Sequence, residues 1–344
     1  VTPAQVVAKT YPAPVRDLVT GVIGTWLLLA VYLDGWAHLN DVGTETFFTP
    51  WHTALYAGLG MIGIWMALLM RRGRRQGLPL RHSLPKGYRG TLLGIGLFAL
   101  GGLLDLAWHE LFGIEVALDA LVSPTHLLLG AGGMLILGTG VRSQRAVRPS
   151  RPWAAPAMLS LLLVTGLAAF FLVYTSAFMF SAPLMEFVPV PEGAPGHEEA
   201  ELPVIAALGG YIVTTMLLIV PILYVLASGS RIPRLTVTAV VSTVAWLSVG
   251  IASLPSAAVA GALGATVAAV LTDLALARVP VELTRRWLPV AAAGIAVFIW
   301  AGQLAGLAIA EGLGWPVSLW AGVVALSAGV AAGLAAPSSA VPEL

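Results

Sequence analysis

The sequence predicts an all-α fold: a polytopic transmembrane bundle of about ten helices with both termini in the cytoplasm. Three observations carry that expectation. Apolar residues make up 58% of the chain and charged residues 10%, far from the composition of a soluble globular domain. The apolar residues fall in runs of about twenty, the length a helix needs to cross a bilayer core. All 18 lysines and arginines lie before the first run or in the even-numbered connections. The positive-inside rule assigns that side to the cytoplasm.

Residues 1–17, with Pro3, Pro12 and Pro14, form a cytoplasmic N-terminal segment that does not read as a signal peptide. The spans follow at about 18–37, 50–70, 90–109, 124–141, 153–175, 203–228, 235–253, 256–277, 287–310 and 315–336. The break between the seventh and eighth rests on Pro255. Arg71, Arg72, Arg74, Arg75, Arg81, Lys86 and Arg89 crowd the second connection; Arg142, Arg145, Arg148 and Arg151 fill the fourth. Arg231 and Arg234 lie in the sixth, Arg278, Arg285 and Arg286 in the eighth, and Lys9 and Arg16 precede the first span. The odd connections carry carboxylates instead, among them Asp41, Glu45, Glu115 and Asp119. The acidic outer loop 176–202 is rich in Pro and Gly and is expected to be irregular. Its His197-Glu198-Glu199 reads as a solvated acidic stretch in preference to a cation site.

The chain divides on this reading into a four-helix unit over 18–141 and a six-helix unit over 142–344. The second is rich in Ala and Gly, residues that let helix backbones approach closely in a membrane. Its one intraspan carboxylate, Asp273, is expected to pair with Arg278 or Arg285. The absence of Cys removes disulfides, iron–sulfur clusters and thiolate metal sites. No nucleotide loop, nucleophile elbow or zinc-protease helix is present, and no pattern points to nucleic acid.

The first unit carries a duplicated polar pattern. LDGWAHLNDVGTETFFTPWH, residues 33–52, returns as LDLAWHELFGIEVALDALVSPTH, residues 104–126. Asp34 and Asp105 lie 71 positions apart, as do His38 and His109, and His52 and His126 lie 74 apart. Each Asp and its His are spaced i, i+4, which puts both on one face of a helix. Thr49 and Ser123 are expected to cap the following helices, with Pro50 and Pro124 at their first positions. His52 and His126 then sit in rigid first turns. Asp34, His38 and His52, and likewise Asp105, His109 and His126, are each a candidate metal triad with open coordination positions. A lone His at a helix end is an ordinary interfacial group, and an outer-end Asp an ordinary cap. Repetition of all three positions favours metal over those readings, and bis-His haem ligation leaves the Asp unexplained. Copper, iron, zinc and nickel all accept imidazole, so the ligand types alone leave the metal open. Trp36, Trp51 and Trp108 beside the histidines read as an aromatic belt.

Asp34-x3-His38 followed by FTPWH resembles the membrane copper site in the C subunit of the particulate methane and ammonia monooxygenases. The resemblance covers about residues 30–140. That family has a second set about seventy residues on, with Asn where Asp105 stands here and a loop shorter by about three residues. The resemblance implies copper as the cofactor, ranked above iron and zinc, held by the six residues named. It also implies O2-dependent hydroxylation of a small apolar substrate or ammonia. Expected partners are the lipid bilayer, other monooxygenase-type subunits, a quinol or other electron donor, and further copies of the chain. The sites would face the outer, periplasmic or extracellular side. The alternatives are a non-catalytic protein that acquires, stores or transfers copper, and a structural subunit of a membrane complex. The eight methionines form no MxxM ladder, which counts against a Cu(I) conduit.

Overall fold

The structure is a computed structural model that describes residues 13–40, 49–113, 118–147, 152–228 and 233–339. Asp41, Glu45, Glu115, Lys9, Arg148, Arg151 and Arg231 lie outside the described residues, and so does the side chain of Asp119. The described residues are helical with short connections and contain no strand. The long helices are α1 (Ala13–Leu39), α2 (Pro50–Arg75), α3 (Arg89–Phe112), α4 (Pro124–Val147, broken at Gly138) and α5 (Ala155–Phe171). They continue as α6 (His197–Leu226), α7 (Thr236–Ile251), α8 (Ser256–Leu276), α9 (Leu288–Glu311) and α10 (Val317–Ser339). Eight of them are long and apolar enough to cross a membrane; α5 and α7 are apolar but only 17 and 16 residues long.

Several helix ends differ from expectation, and at the first helix polar pairing explains the difference. The first helix starts five residues before the expected 18 and takes in Arg16 and Asp17. Both are buried because they satisfy each other and their neighbours. Arg16 Nε lies 3.1 Å from Asp17 Oδ1, which also accepts from the Tyr88 hydroxyl at 2.7 Å. Ser143 donates to Asp17 Oδ2 at 2.8 Å and accepts from Arg16 Nη2 at 3.0 Å. The guanidinium sits 4.9 Å from the Tyr88 ring centroid. Trp65 of α2 closes the set by donating to Thr20, whose hydroxyl is 3.0 Å from that of Tyr88. Burial, and the carboxylate of Asp17, push the Tyr88 hydroxyl above its ordinary value, so it remains a donor. This network joins α1, α2, the start of α3 and the end of α4.

The chain forms two compact units, Val1–Leu167 and Ala168–Leu344. In the first, α1 packs on α2 and α3 on α4. The α3–α4 crossing is close because Gly94 and Gly132 face each other: a Cβ on Gly94 would stand 2.7 Å from the Gly132 carbonyl oxygen. Helix α5 joins through Tyr32, which donates to the Gly166 carbonyl at 2.9 Å. The C-terminal ends of α1 and α3 and the N-terminal ends of α2 and α4 lie together. Asp34 follows Asp17 by 17 residues on the same helix, a rise of roughly 25 Å at about 1.5 Å per residue. The duplicated pattern and the Arg16–Asp17 network therefore occupy opposite ends of this unit.

In the second unit, α9 packs between α8 and α10, and Gly264 and Gly302 mark a contact too tight for any Cβ. Trp300 is fully buried, stacked 5.4 Å from Phe178 and edge-on to Tyr211, with its indole donating to Thr215 at 2.9 Å. Asp273 does not pair with Arg278 or Arg285 as expected. Its carboxylate accepts from the backbone N–H groups of Val237 and Thr238, at 3.2 and 2.8 Å, and from the Thr238 hydroxyl. It thus caps α7 from a neighbouring helix, and the two arginines bond to the Leu274 and Leu226 carbonyls instead. The seventh–eighth break stands where Pro255 predicts it, with Ser253 and Leu254 in the left-handed region at φ 64° and 56°. The expected loop 176–202 is irregular only in part. Helix α6 already begins at His197, so Glu198 and Glu199 occupy its first turn, where carboxylates complement the helix dipole.

Two stability measurements test these pairings. Asp17→Ala strands a buried guanidinium and is expected to cost on the order of 3 kcal/mol, with a much smaller loss in an Arg16→Met/Asp17→Leu double variant, read by denaturant unfolding of the purified protein. Asp273→Ala should cost about 1 kcal/mol through the lost cap and Asp273→Asn less; equal losses in the two would show that charge, not capping, is the contribution of this side chain.

Candidate metal centres

Each set of three is assembled by one helix end, one connection and one helix start. The caps form as the sequence predicts. Thr49 accepts from the backbone N–H of His52 at 3.1 Å with Pro50 at the first helical position. Ser123 does the same for His126 at 3.4 Å, followed by Pro124. Capping removes an orphan donor from each helix start and holds the first-turn His in place. Gly113, at φ 84°, terminates α3 by donating to the His109 carbonyl at 2.9 Å. Its own carbonyl then lies 3.2 Å from His109 Nδ1. A proton on Nδ1 shared with that carbonyl leaves the Nε2 lone pair turned towards Asp105, the arrangement a ligating His needs.

The structure brings all six predicted residues together in their two groups. Within each group, one ligand atom from every residue lies within 4.8 Å of the others. In the first, His38 Nε2 is 4.0 Å from Asp34 Oδ2 and His52 Nε2 is 3.5 Å from Asp34 Oδ1. In the second, His109 Nε2 is 3.5 Å from Asp105 Oδ2 and His126 Nδ1 is 3.6 Å from Asp105 Oδ1. The paired imidazole rings have centroids 6.1 Å apart in both groups. These separations exceed the ~2.7–3.2 Å of a hydrogen bond to nitrogen. They match the spacing of atoms around one ion: ligands at about 2.0–2.1 Å in tetrahedral array stand about 3.3 Å apart.

An unpaired oxygen adds to that fit. Asp34 Oδ1 is buried without a hydrogen-bond partner, as is His38 Nδ1, the ring nitrogen other than the one nearest Asp34. A buried acceptor such as Asp34 Oδ1 costs free energy unless something takes its lone pair. A cation between Asp34, His38 and His52 removes the cost at Asp34 directly. The donor set of one carboxylate and two imidazoles suits copper, iron or zinc equally well.

The surroundings contain residues that pattern reading passed over. Thr125, between Pro124 and His126, donates to Asp105 Oδ1 at 2.8 Å. Its place in the first copy is taken by Trp51, whose ring packs edge-on to Trp36 at 6.2 Å. Tyr56 lies one turn after His52, its ring 6.4 Å from the imidazole, and its hydroxyl rests in the notch left by Gly102 on α3. It feels the charge of both Asp34 and Asp105. Asp105 and His109 in turn act on Asp34, and His126 and His109 on His38, so the two triads share one electrostatic neighbourhood. The i+4 spacing from His52 to Tyr56 was the available signal for the tyrosine. No protein-family model matches the chain, and no curated protein or solved structure matches it either.

Elemental analysis tests the assignment directly. Protein purified without chelator is expected to carry two metal ions per chain. His38→Ala should remove one and His109→Ala the other, and retention of both ions in either variant would show that the ligand has been wrongly chosen.

Proposed function

We propose that this chain is an integral membrane copper protein related to the copper membrane monooxygenases, with two mononuclear sites at the outer end of a ten-span bundle. The observation that carries the reading is the duplicated triad with its unpaired Asp34 oxygen, reached from a sequence whose FTPxH segment resembles that family. The ten spans are the eight long apolar helices together with α5 and α7. Both termini are then cytoplasmic. The clustered arginines at the ends of α2 and α4 and the start of α3 lie at the opposite end of the first unit from the triads. By the positive-inside rule those arginines mark the cytoplasmic face and the triads the outer one.

Bound copper would supply one-electron and dioxygen chemistry. The chain's own residues supply the rest. Asp34 and Asp105 each give a negative charge that offsets part of the cation's, in an apolar setting where an isolated carboxylate costs about 2.5–3.5 kcal/mol near mid-bilayer and less near the ends. Three protein ligands per site leave positions open to a small molecule. A substrate dissolved in the bilayer reaches such a site without crossing an aqueous phase. Electrons come from a quinol or a partner subunit, because the sequence holds no haem or flavin motif. Copper acquisition or storage is the second reading, since the two three-ligand groups would bind metal equally in a protein without turnover.

Oxygen uptake separates the two. Membranes supplied with copper, a quinol and short hydrocarbons or ammonia are expected to consume oxygen, His38→Ala to lose at least tenfold, and Asp105→Asn to shift the rate or substrate preference. Uptake equal in all three removes both triads from the chemistry. Copper binding with no uptake in any of them, partners present, supports copper handling.

A further inference from the structure

The two triads share a pattern but not a state. In the first, His52 presents Nε2 to its carboxylate, and Asp34 Oδ1 and His38 Nδ1 have no hydrogen-bond partner. In the second, the carboxylate is engaged from within the chain. Thr125 donates to Asp105 Oδ1 at 2.8 Å. Most telling is His126. The ring nitrogen that faces Asp105 is Nδ1, at 3.6 Å, and that same nitrogen lies 2.6 Å from the Ser123 hydroxyl. Ser123 is therefore more than the helix cap that Thr49 is in the first copy.

Both tautomers of His126 lead to one consequence. Where the Ser123 hydroxyl donates, it occupies the Nδ1 lone pair. Where Nδ1–H donates to Ser123, the nitrogen carries a proton and has no lone pair to offer. A metal ion approaching Asp105 from the His126 side must break this hydrogen bond or turn the ring before a third ligand forms. At the first site the carboxylate oxygen Asp34 Oδ1 carries no hydrogen bond of this kind, and its desolvation is already complete in the folded chain.

We propose that Ser123 is a latch on the second site, so that the triads fill in order: Asp34/His38/His52 at low metal, Asp105/His109/His126 only at higher metal. This rests on the reading that both triads bind metal. Ser123 acts through His126 and is a positioning residue; it sets the affinity difference between two otherwise duplicated sites. Such a pair responds to metal over a wider concentration range than two equal sites. Thr125 works in the same direction by holding Asp105, and Trp51 in its place in the first copy cannot do so from the same hydroxyl position.

The test is titration of the purified full chain with Cu(II) under a competing chelator, with EPR resolving the two copper signals. Wild type should show two steps separated by at least tenfold, the tighter lost in His38→Ala and the weaker in His109→Ala. Because two nearby cations also repel each other, the latch is measured in the His38→Ala background, where only the second site fills. There Ser123→Gly, a substitution that helix starts tolerate, should tighten binding about tenfold, the worth of one hydrogen bond to be displaced. Ser123→Thr, which keeps the hydroxyl, should bind as the parent does. A purely structural cap would give the opposite sign, weaker binding in Ser123→Gly, and that result overturns the latch. Simultaneous filling of both sites in wild type, or a tight step that disappears with His109→Ala, overturns the order while leaving two metal sites standing. No copper at either site overturns the metal reading itself.

Discussion

Buried charge is the constraint on which this structure turns. A chain that is 58% apolar has little to offer a carboxylate, so each one within the helices must find donors or a cation close by. The structure solves that problem in three ways. Asp17 takes a guanidinium and two hydroxyls, a complete set of partners from α1, α3 and α4. Asp273 takes two backbone N–H groups and a hydroxyl at the start of α7. Asp34 and Asp105 take imidazoles, Asp105 with the Thr125 hydroxyl besides; imidazoles are partners only in part, because a neutral ring donates from one nitrogen and offers a lone pair at the other. The first two solutions are closed. The third is open, and an open arrangement of oxygen and nitrogen lone pairs is what a metal ion requires.

The helix termini make that third solution possible. Ligands from mid-helix would have to displace packed side chains, whereas the ends of α1 and α3 and the capped starts of α2 and α4 already expose polar groups. Thr49 and Ser123 place the following His in the first helical turn, and the i, i+4 spacing stacks Asp and His one turn apart. Fixing a ligand on a rigid element limits how far it can stray from its partners. The close α3–α4 crossing at Gly94 and Gly132 serves the same end, because it holds Asp105 and His126 on helices whose backbones nearly touch.

These features differ sharply in how far the sequence reveals them. The helices, the caps and the six grouped residues are legible because each follows from local spacing: runs of about twenty, Thr/Ser-Pro before His, and Asp four before His. Helix ends are less so. Hydropathy starts α1 after Arg16 and Asp17 because it scores them as charges, whereas in the bundle they cancel each other and continue the helix. Asp273 is misread for a related reason. Its partners, Val237 and Thr238, are backbone groups 36 and 35 residues away, and no side-chain charge pattern points to them. The contact of Thr125 with Asp105 spans only 20 residues, but in sequence Thr125 is merely the residue beside a conspicuous His.

That last contact changes what duplication means here. Two copies of one pattern suggest two copies of one site, and spacing alone supports nothing finer. Yet the residue between Pro and His is Trp51 in one copy and Thr125 in the other, and the two side chains do opposite things. Trp51 packs against Trp36; Thr125 turns to Asp105 and supplies a hydrogen bond. One copy thereby keeps a buried carboxylate oxygen without a hydrogen bond, and the other gives its carboxylate a hydroxyl donor. A duplicated helix–loop–helix thus holds two carboxylate–imidazole sets of equal composition and unequal readiness, and the difference rests on hydroxyl groups that are not ligands.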